Sequence, residues 1–149
     1  DYKRIKSAGL MCSLQPSFLL SEGDWMFSRV GERLGLVYSL KSLQNYGINM
    51  CGGSDAPIEN PSPIPAIAAA VLYDGLDPAQ ALTPFEAISL YTKHAAFASF
   101  EEETKGTITA GKSADLIVLD TNPLITPVDE LAGIKVRLNM IAGQIYYES

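Results

Sequence analysis

Two different spacings of apolar residues run along this chain, and they change over near Lys105. Before that point apolar side chains recur mainly at helical intervals, interrupted by short apolar runs. After it they recur at every second position, the signature of half-buried strands. Near the start, Ile5 and the Ala8-Gly9 pair predict a helix running out into a glycine stop. Leu10-Met11-Cys12-Ser13-Leu14-Gln15 then reads as a short strand closed by Pro16. The stretch from Glu22 to Gly35 mixes Trp25, Met26, Phe27, Val30 and Leu34 with charges and three glycines, which predicts a long loop holding a helical turn. Tyr38, Leu40, Leu43 and Tyr46 fit one helix face, with Gly47 placed to end it in the left-handed region. Ile48-Asn49-Met50-Cys51-Gly52 reads as a second strand. Two strands joined through a helix make a βαβ unit, so a parallel pair with a right-handed crossover is expected. Both strands are apolar enough to be covered on both faces.

Beyond the second strand the chain reads Gly52-Gly53-Ser54-Asp55-Ala56-Pro57, then Pro61, Pro63 and Pro65. Prolines at that density stiffen a loop and lead into an apolar helix from Ala66 to Tyr73. Thr83-Pro84-Phe85-Glu86 starts the next helix: Thr83 caps, Pro84 takes the first helical position, and Glu86 closes a capping box. Phe85, Ile88, Ala95 and Phe97 are expected on or near its inward side, with Leu90 and Tyr91 between them. Past Lys105, Leu116-Ile117-Val118-Leu119 is apolar on both faces and reads as an interior strand. Ile134, Val136, Leu138 and Met140 alternate with Lys135, Arg137 and Asn139, and Ala142-Gly143 turns that strand into a hairpin with Gln144 to Tyr147. The change of period divides the chain into a β/α part, 1–105, and a small β part, 106–149.

Composition narrows the partners. The chain has 149 residues, a net charge of −6 and 47% hydrophobic residues. That is long enough for one sizeable core. The acidic balance argues against a nucleic-acid groove or an anionic membrane surface, which need clustered Lys and Arg, and leaves a small molecule or another protein. Cys12 and Cys51 are far apart and sit in no close-spaced Cys/His set; they read first as a reduced, buried pair, with a disulfide or metal role as the alternative. With no apolar run of membrane-spanning length and no signal-like opening, a cytoplasmic location is expected. The chain opens at Asp1 without a methionine, inside what resembles a helix end, so an upstream segment is expected to be missing.

The strongest chemical candidate is Asp55, just past the C-terminal end of an apolar strand, where parallel β/α folds gather their ligand sites. By the residues alone, Ser54-Asp55-Ala56-Pro57 reads first as a turn or a helix cap, with the catalytic role second. Trp25 and Phe27 read as a lid over an apolar substrate or as a satellite cluster. Gly106 to Gly111 with Lys112 lacks the spacing of a phosphate loop and precedes a strand, not a helix. Lys105, Lys112 and Lys135 read as solvated charges.

Cys51-Gly52-Gly53-Ser54-Asp55-Ala56-Pro57 and Lys105-Gly106-Thr107-Ile108-Thr109-Ala110-Gly111-Lys112-Ser113-Ala114-Asp115-Leu116-Ile117-Val118-Leu119-Asp120 together resemble the amidohydrolase superfamily, in its metal-dependent hydrolase group. Ser13-Leu14-Gln15-Pro16, Leu82 to Ala87, Tyr91 to Ala96 and Ile141 to Tyr146 extend the resemblance over nearly the whole chain. The fold it implies is α/β: the C-terminal portion of a TIM (β/α)8 barrel, its last two strands and their helices, plus part of a small composite β-sandwich. The activity it implies is hydrolysis of non-peptide carbon–nitrogen bonds by a metal-activated water, with Asp55 both metal ligand and proton carrier. Gln15 and Ser17, ending what resembles the seventh strand, are expected to line the substrate pocket. A divalent metal, zinc first, is expected in the intact protein and none in this chain alone. The chain departs from the family pattern in having one histidine, His94, and no His-x-His. His94 falls in a helix after the last barrel strand and reads as a packing residue. Rival readings are a non-catalytic assembly module, or a deaminase or isomerase on the same barrel. Strands without their outer neighbours also predict pairing with a second copy or with the missing N-terminal part.

Overall fold

The computed structural model describes residues 1–73 and 77–149, apart from the side chains of Asp24 and Phe27. Helix α1 (Tyr2–Ser7) leads to strand β1 (Met11–Leu14), and helices α2 (Phe18–Ser21), α3 (Gly23–Val30) and α4 (Leu40–Asn45) carry the chain to β2 (Asn49–Gly52). The two strands are parallel, paired from Met11 with Asn49 to Leu14 with Gly52. The N–H of Gly53 donates to the Leu14 carbonyl at 2.8 Å, which carries the pairing one residue past the strand ends.

The Glu22 to Gly35 segment is mostly helical instead of a loop with one helical turn. The Met26 N–H reaches back to the Glu22 carbonyl at 3.0 Å, and the Met26 side chain, 3% exposed, anchors α3 to the body. Gly31, at φ +56, breaks the helix and passes it into a 3₁₀ segment, Gly31–Leu36. Gly47 ends α4 in the left-handed region as expected, its N–H donating to Gln44 at 2.8 Å while Ile48 N–H returns to Leu43 at 3.0 Å.

Helix α5 (Pro63–Leu72) is buried from Ala66 to Val71 and ends at Tyr73, which is left-handed and 2% exposed. Its alanines let neighbours approach on all sides. Helix α6 (Pro84–Tyr91) opens on the expected capping box: Thr83 accepts the Glu86 N–H, and the Glu86 carboxylate accepts the Thr83 N–H at 2.8 Å. Its inward side is Ala87, Leu90 and, half-buried, Tyr91, spaced i, i+3, i+4. That register corrects the sequence expectation, since it sends Phe85 to the opposite flank, where it is 60% exposed. The helix breaks at Thr92 before α7 (Lys93–Ala98), so Phe97 follows a separate register and also faces outward.

Strands β3 (Leu116–Leu119), β4 (Val136–Ile141) and β5 (Gln144–Glu148) form an antiparallel sheet in that order. Ala142 and Gly143, both at positive φ, make the hairpin turn between β4 and β5. Among the described residues the apolar run Leu116 to Leu119 is therefore at the edge of the sheet and not in its interior. The hairpin puts β4 in the middle, which leaves β3 one hydrogen-bonded neighbour among the described residues and Ile117 and Val118 half-exposed. Ahead of β4, a 3₁₀ turn at Val128–Gly133 lies on α5. It sends Leu131 and Ile134 into the same core as Leu40, Met50, Ala70 and Leu90. No helix among the described residues is long and apolar enough to cross a membrane.

Candidate active site at the strand ends

Parallel pairing in register brings the C-terminal ends of β1 and β2 side by side, and the residues leaving those ends define the candidate site. From β1 come Gln15, half-buried, then Pro16 and Ser17, both buried. The Ser17 hydroxyl oxygen is shut away from solvent and has no hydrogen-bond partner among the described residues. A buried hydroxyl left this way costs on the order of 1–3 kcal/mol.

From β2 the chain passes through Gly52, Gly53 and Ser54 to Asp55. Asp55 adopts φ +54, a left-handed conformation that Asp and Asn take up more readily than most side chains. Its carbonyl accepts the Ile58 N–H at 2.9 Å, closing a turn that includes the cis Ala56–Pro57 peptide. The Asp55 side chain is exposed, and no hydrogen bond to a described residue ties its carboxylate down. Asp55 is thus neither a helix cap nor an ion-pair partner among those residues; it is presented to solvent just beyond the strand end.

The sequence placed Tyr91 between the residues expected on the inward side of a helix and gave it no part in the site. Its ring in fact packs onto the end of β2, so that a Cβ built on Gly52 would fall 2.5 Å from the ring's Cζ. The signal was Gly52 itself, since a glycine ending a strand often marks a close approach. The Tyr91 hydroxyl is buried without a described partner, and burial, helped by the Cys51 sulfur, pushes its pKa well above the ordinary phenol range.

The other candidates lie apart from this arrangement. Trp25 is on the outer side of α3, 45% exposed, with the Arg29 guanidinium 5.5 Å above its ring; the part of the lid reading that rested on the Phe27 side chain lies outside the described residues. His94 is half-buried in α7 with its Nδ1 unpartnered, and desolvation followed by the Lys93 charge holds its pKa below the ordinary value. Cys12 and Cys51 are free thiols, the first half-buried and the second buried. Lys105 pairs with Glu101 at 2.8 Å, and Lys112, read as solvated, is half-buried and donates to the carbonyls of Glu102 and Lys105. A groove of about 650 Å³ between α6, α7 and β3, lined in part by Phe85, Ile88, Ile108 and Ile117, includes neither Asp55, Gln15 nor Ser17.

A divalent metal does not fit these residues alone. Structural and catalytic zinc sites need three or more protein ligands. Among the described residues no three His, Cys, Asp or Glu side chains are grouped to share an ion, so Asp55 offers one ligand of a set.

The family model for the amidohydrolase family matches residues 1–147. Among curated proteins, the chain is 35% identical over 160 residues to the putative amidohydrolase YtcJ of Bacillus subtilis (strain 168), covering 99% of this chain and 30% of that protein. It is 32% identical over 117 residues to an N-substituted formamide deformylase of Arthrobacter pascens, covering 75% of this chain and 22% of the other. The chain therefore spans less than a third of the length of these relatives. Among solved structures, a metal-dependent hydrolase from Pyrococcus furiosus superposes with a TM-score of 0.75 at 35% identity, over 83% of this chain and 26% of that one. The α/β frame described above, with its parallel strand pair, is shared with this structural relative. The chain belongs to the amidohydrolase family.

Proposed function

We propose that residues 1–105 supply the last two strands of a (β/α)8 hydrolase barrel, that 106–149 are part of a composite β-sandwich, and that Asp55 is the proton carrier of the active site. The observation that carries this reading is the placement of Asp55: left-handed, exposed, and directly past the C-terminal end of a parallel strand. A carboxylate held there accepts a proton from a water whose oxygen bonds to the carbonyl carbon, and returns that proton to the leaving nitrogen, so that the carbon–nitrogen bond breaks to give a carboxylic acid and an amine. Gln15 and Ser17 leave the same end of the neighbouring strand and are the residues placed to line the substrate pocket beside Asp55.

The substrate class is the non-peptide amide, with N-substituted formamides favoured by the deformylase among the relatives. In the whole protein a divalent metal, zinc for a set of imidazole and carboxylate donors, would use Asp55 as one ligand and draw the others from outside the described residues. The partners are this small molecule and, for the open edges of both sheets, a second copy or the remainder of the protein. Two free thiols suit a reducing compartment such as the cytoplasm.

The test compares the whole protein with the 149-residue chain, both dialysed after zinc loading and assayed with 4-nitroformanilide, which releases coloured 4-nitroaniline. The whole protein is expected to retain zinc and turn the probe over, and the chain alone to do neither. Stoichiometric zinc on the chain alone, lost in Asp55→Asn, would contradict the division of ligands; an inactive whole protein would contradict the substrate class.

A further inference from the structure

We propose that Tyr91 is a positioning residue for Asp55: its ring, seated on the α-carbon of Gly52, sets the path by which β2 leaves the sheet. This rests on the role given to Asp55 above and adds to it a residue on a different element. The hydroxyl-bearing end of the ring fills the space where any side chain at position 52 would stand, with Cζ, Cε2 and Cε1 at 2.5, 2.7 and 2.8 Å from a Cβ built there. Only glycine lets ring and backbone meet this closely. From Gly52 to Asp55 there are two intervening residues, and the first of them, Gly53, is fixed to the other strand by its bond to the Leu14 carbonyl. A backbone gripped from one side by Tyr91 and from the other by β1 has little freedom before the left-handed turn at Asp55.

The far end of the grip is also fixed. Tyr91 is the last residue of α6, and the helix is interrupted at Thr92, so the ring is carried by a helix end. That helix is locked at its start by the Thr83 capping box and by Glu86, whose carboxylate holds Lys41 of α4 at 2.7 and 2.8 Å. The path from α4 through α6 to the strand end is made of packed and hydrogen-bonded contacts throughout. The Tyr91 hydroxyl takes no part in it, since it has no described partner. The ring does the positioning.

The experiment uses the whole protein in five forms: wild type, Tyr91→Phe, Tyr91→Leu, Gly52→Ala, and the Gly52→Ala/Tyr91→Leu pair, with melting temperatures recorded for each. With 4-nitroformanilide as the probe, Tyr91→Phe should keep wild-type kcat. Tyr91→Leu and Gly52→Ala should each lower kcat by roughly tenfold to a hundredfold, the scale expected of a reacting group displaced by about an ångström, with KM little changed. The pair should recover part of the Gly52→Ala loss, because the added methyl enters space the ring has left. Equal losses in Tyr91→Phe and Tyr91→Leu, a loss confined to KM, or a pair no better than Gly52→Ala would overturn the proposal.

A second readout does not need turnover. The ¹³Cα and ¹³Cβ shifts of Asp55, in protein labelled at aspartate, report its φ, and they should move in Tyr91→Leu and stay in place in Tyr91→Phe. Unmoved shifts in a folded Tyr91→Leu would also overturn it, and this variant carries the test if Gly52→Ala does not fold. Asp55→Asn, run alongside, separates the two ideas: if it abolishes turnover while the Tyr91 variants are silent, only the positioning role fails. If it leaves turnover intact, the proposed base fails, and the shifts still decide whether Tyr91 holds the turn.

Discussion

Replacing Glu86 with glutamine removes one charge from the contact that ties the start of α6 to α4. The Glu86 carboxylate accepts from Lys41 Nζ at 2.7 and 2.8 Å and from the Thr83 N–H at 2.8 Å, with the two side chains 29% and 23% exposed for Lys41 and Glu86. Burial alone would push the Glu86 pKa up; the hydrogen bonds from Lys41 and Thr83 outweigh it and bring it from 4.5 down to about 2. A lowered carboxylate pKa means that folding favours the ionised form. Its stabilisation is therefore complete above the unfolded value near 4.5 and is lost as pH falls from there towards 2. The full shift corresponds to about 3 kcal/mol, and solvent access to the pair reduces that to about 1–2 kcal/mol. Glutamine can still serve the capping box, so the loss belongs to the Lys41 pair. Thermal melts of wild type and Glu86→Gln at pH 7 should differ by about 3–6 °C for a chain of this size. The gap should narrow steadily between pH 4.5 and 3. Other carboxylates titrate in that window too, but they act on both proteins and cancel in the difference. A gap that is absent at pH 7, or equally wide at pH 3, would refute the reasoning.

Two further outcomes follow from the packing. Gly106→Ala should destabilise by about 2 kcal/mol or more, because Gly106 sits at φ +88 and a Cβ there would meet the Ala96 Cβ at 2.6 Å and the Lys93 Cα at 3.1 Å; denaturant unfolding measures it, and a neutral result would mean that the segment after α7 shifts freely. His94 should titrate below its ordinary value of 6.5, since burial and then Lys93 disfavour the imidazolium, so stability should fall as pH drops through 6.5; an imidazole NMR titration at or above that value would contradict this.

The elements that were legible in the sequence are those whose cause is local. Gly47 after a helical period, the Thr83-Pro84-Phe85-Glu86 box and Ala142-Gly143 between alternating runs each specify a backbone conformation by their own chemistry, and each is found where expected. The parallel pairing of β1 and β2 follows from connection length. What was not legible depends on neighbours distant in sequence. Leu116 to Leu119 is as apolar as an interior strand, yet its place in the sheet is decided by which strand the hairpin puts beside it. Phe85 and Phe97 look like core residues by type, but Ala87 and Ala96, the small ones, are the buried positions because α6 and α7 pack closely and break at Thr92. For the site, the sequence marked Asp55 and the strand end, and the structure places Gln15 and Ser17 on the adjacent strand end. The contact of Tyr91 with Gly52 spans 39 positions and has no periodic signature, so Gly52 marks a close approach in the sequence but only the folded chain shows that Tyr91 makes it.

The most direct test of the role given to Asp55 is the kcat of Asp55→Asn in the whole protein, measured on 4-nitroformanilide beside its melting temperature. Asparagine matches aspartate in size and accepts the left-handed conformation, so the turn at φ +54 survives and only the ability to take up a proton is removed. The account predicts a fall in kcat of about a hundredfold or more, with a melting temperature within about 2 °C of wild type, as for other exposed positions. Unchanged turnover, or a loss of activity matched by an equal loss of folded protein, would show Asp55 to be a turn residue and not the base.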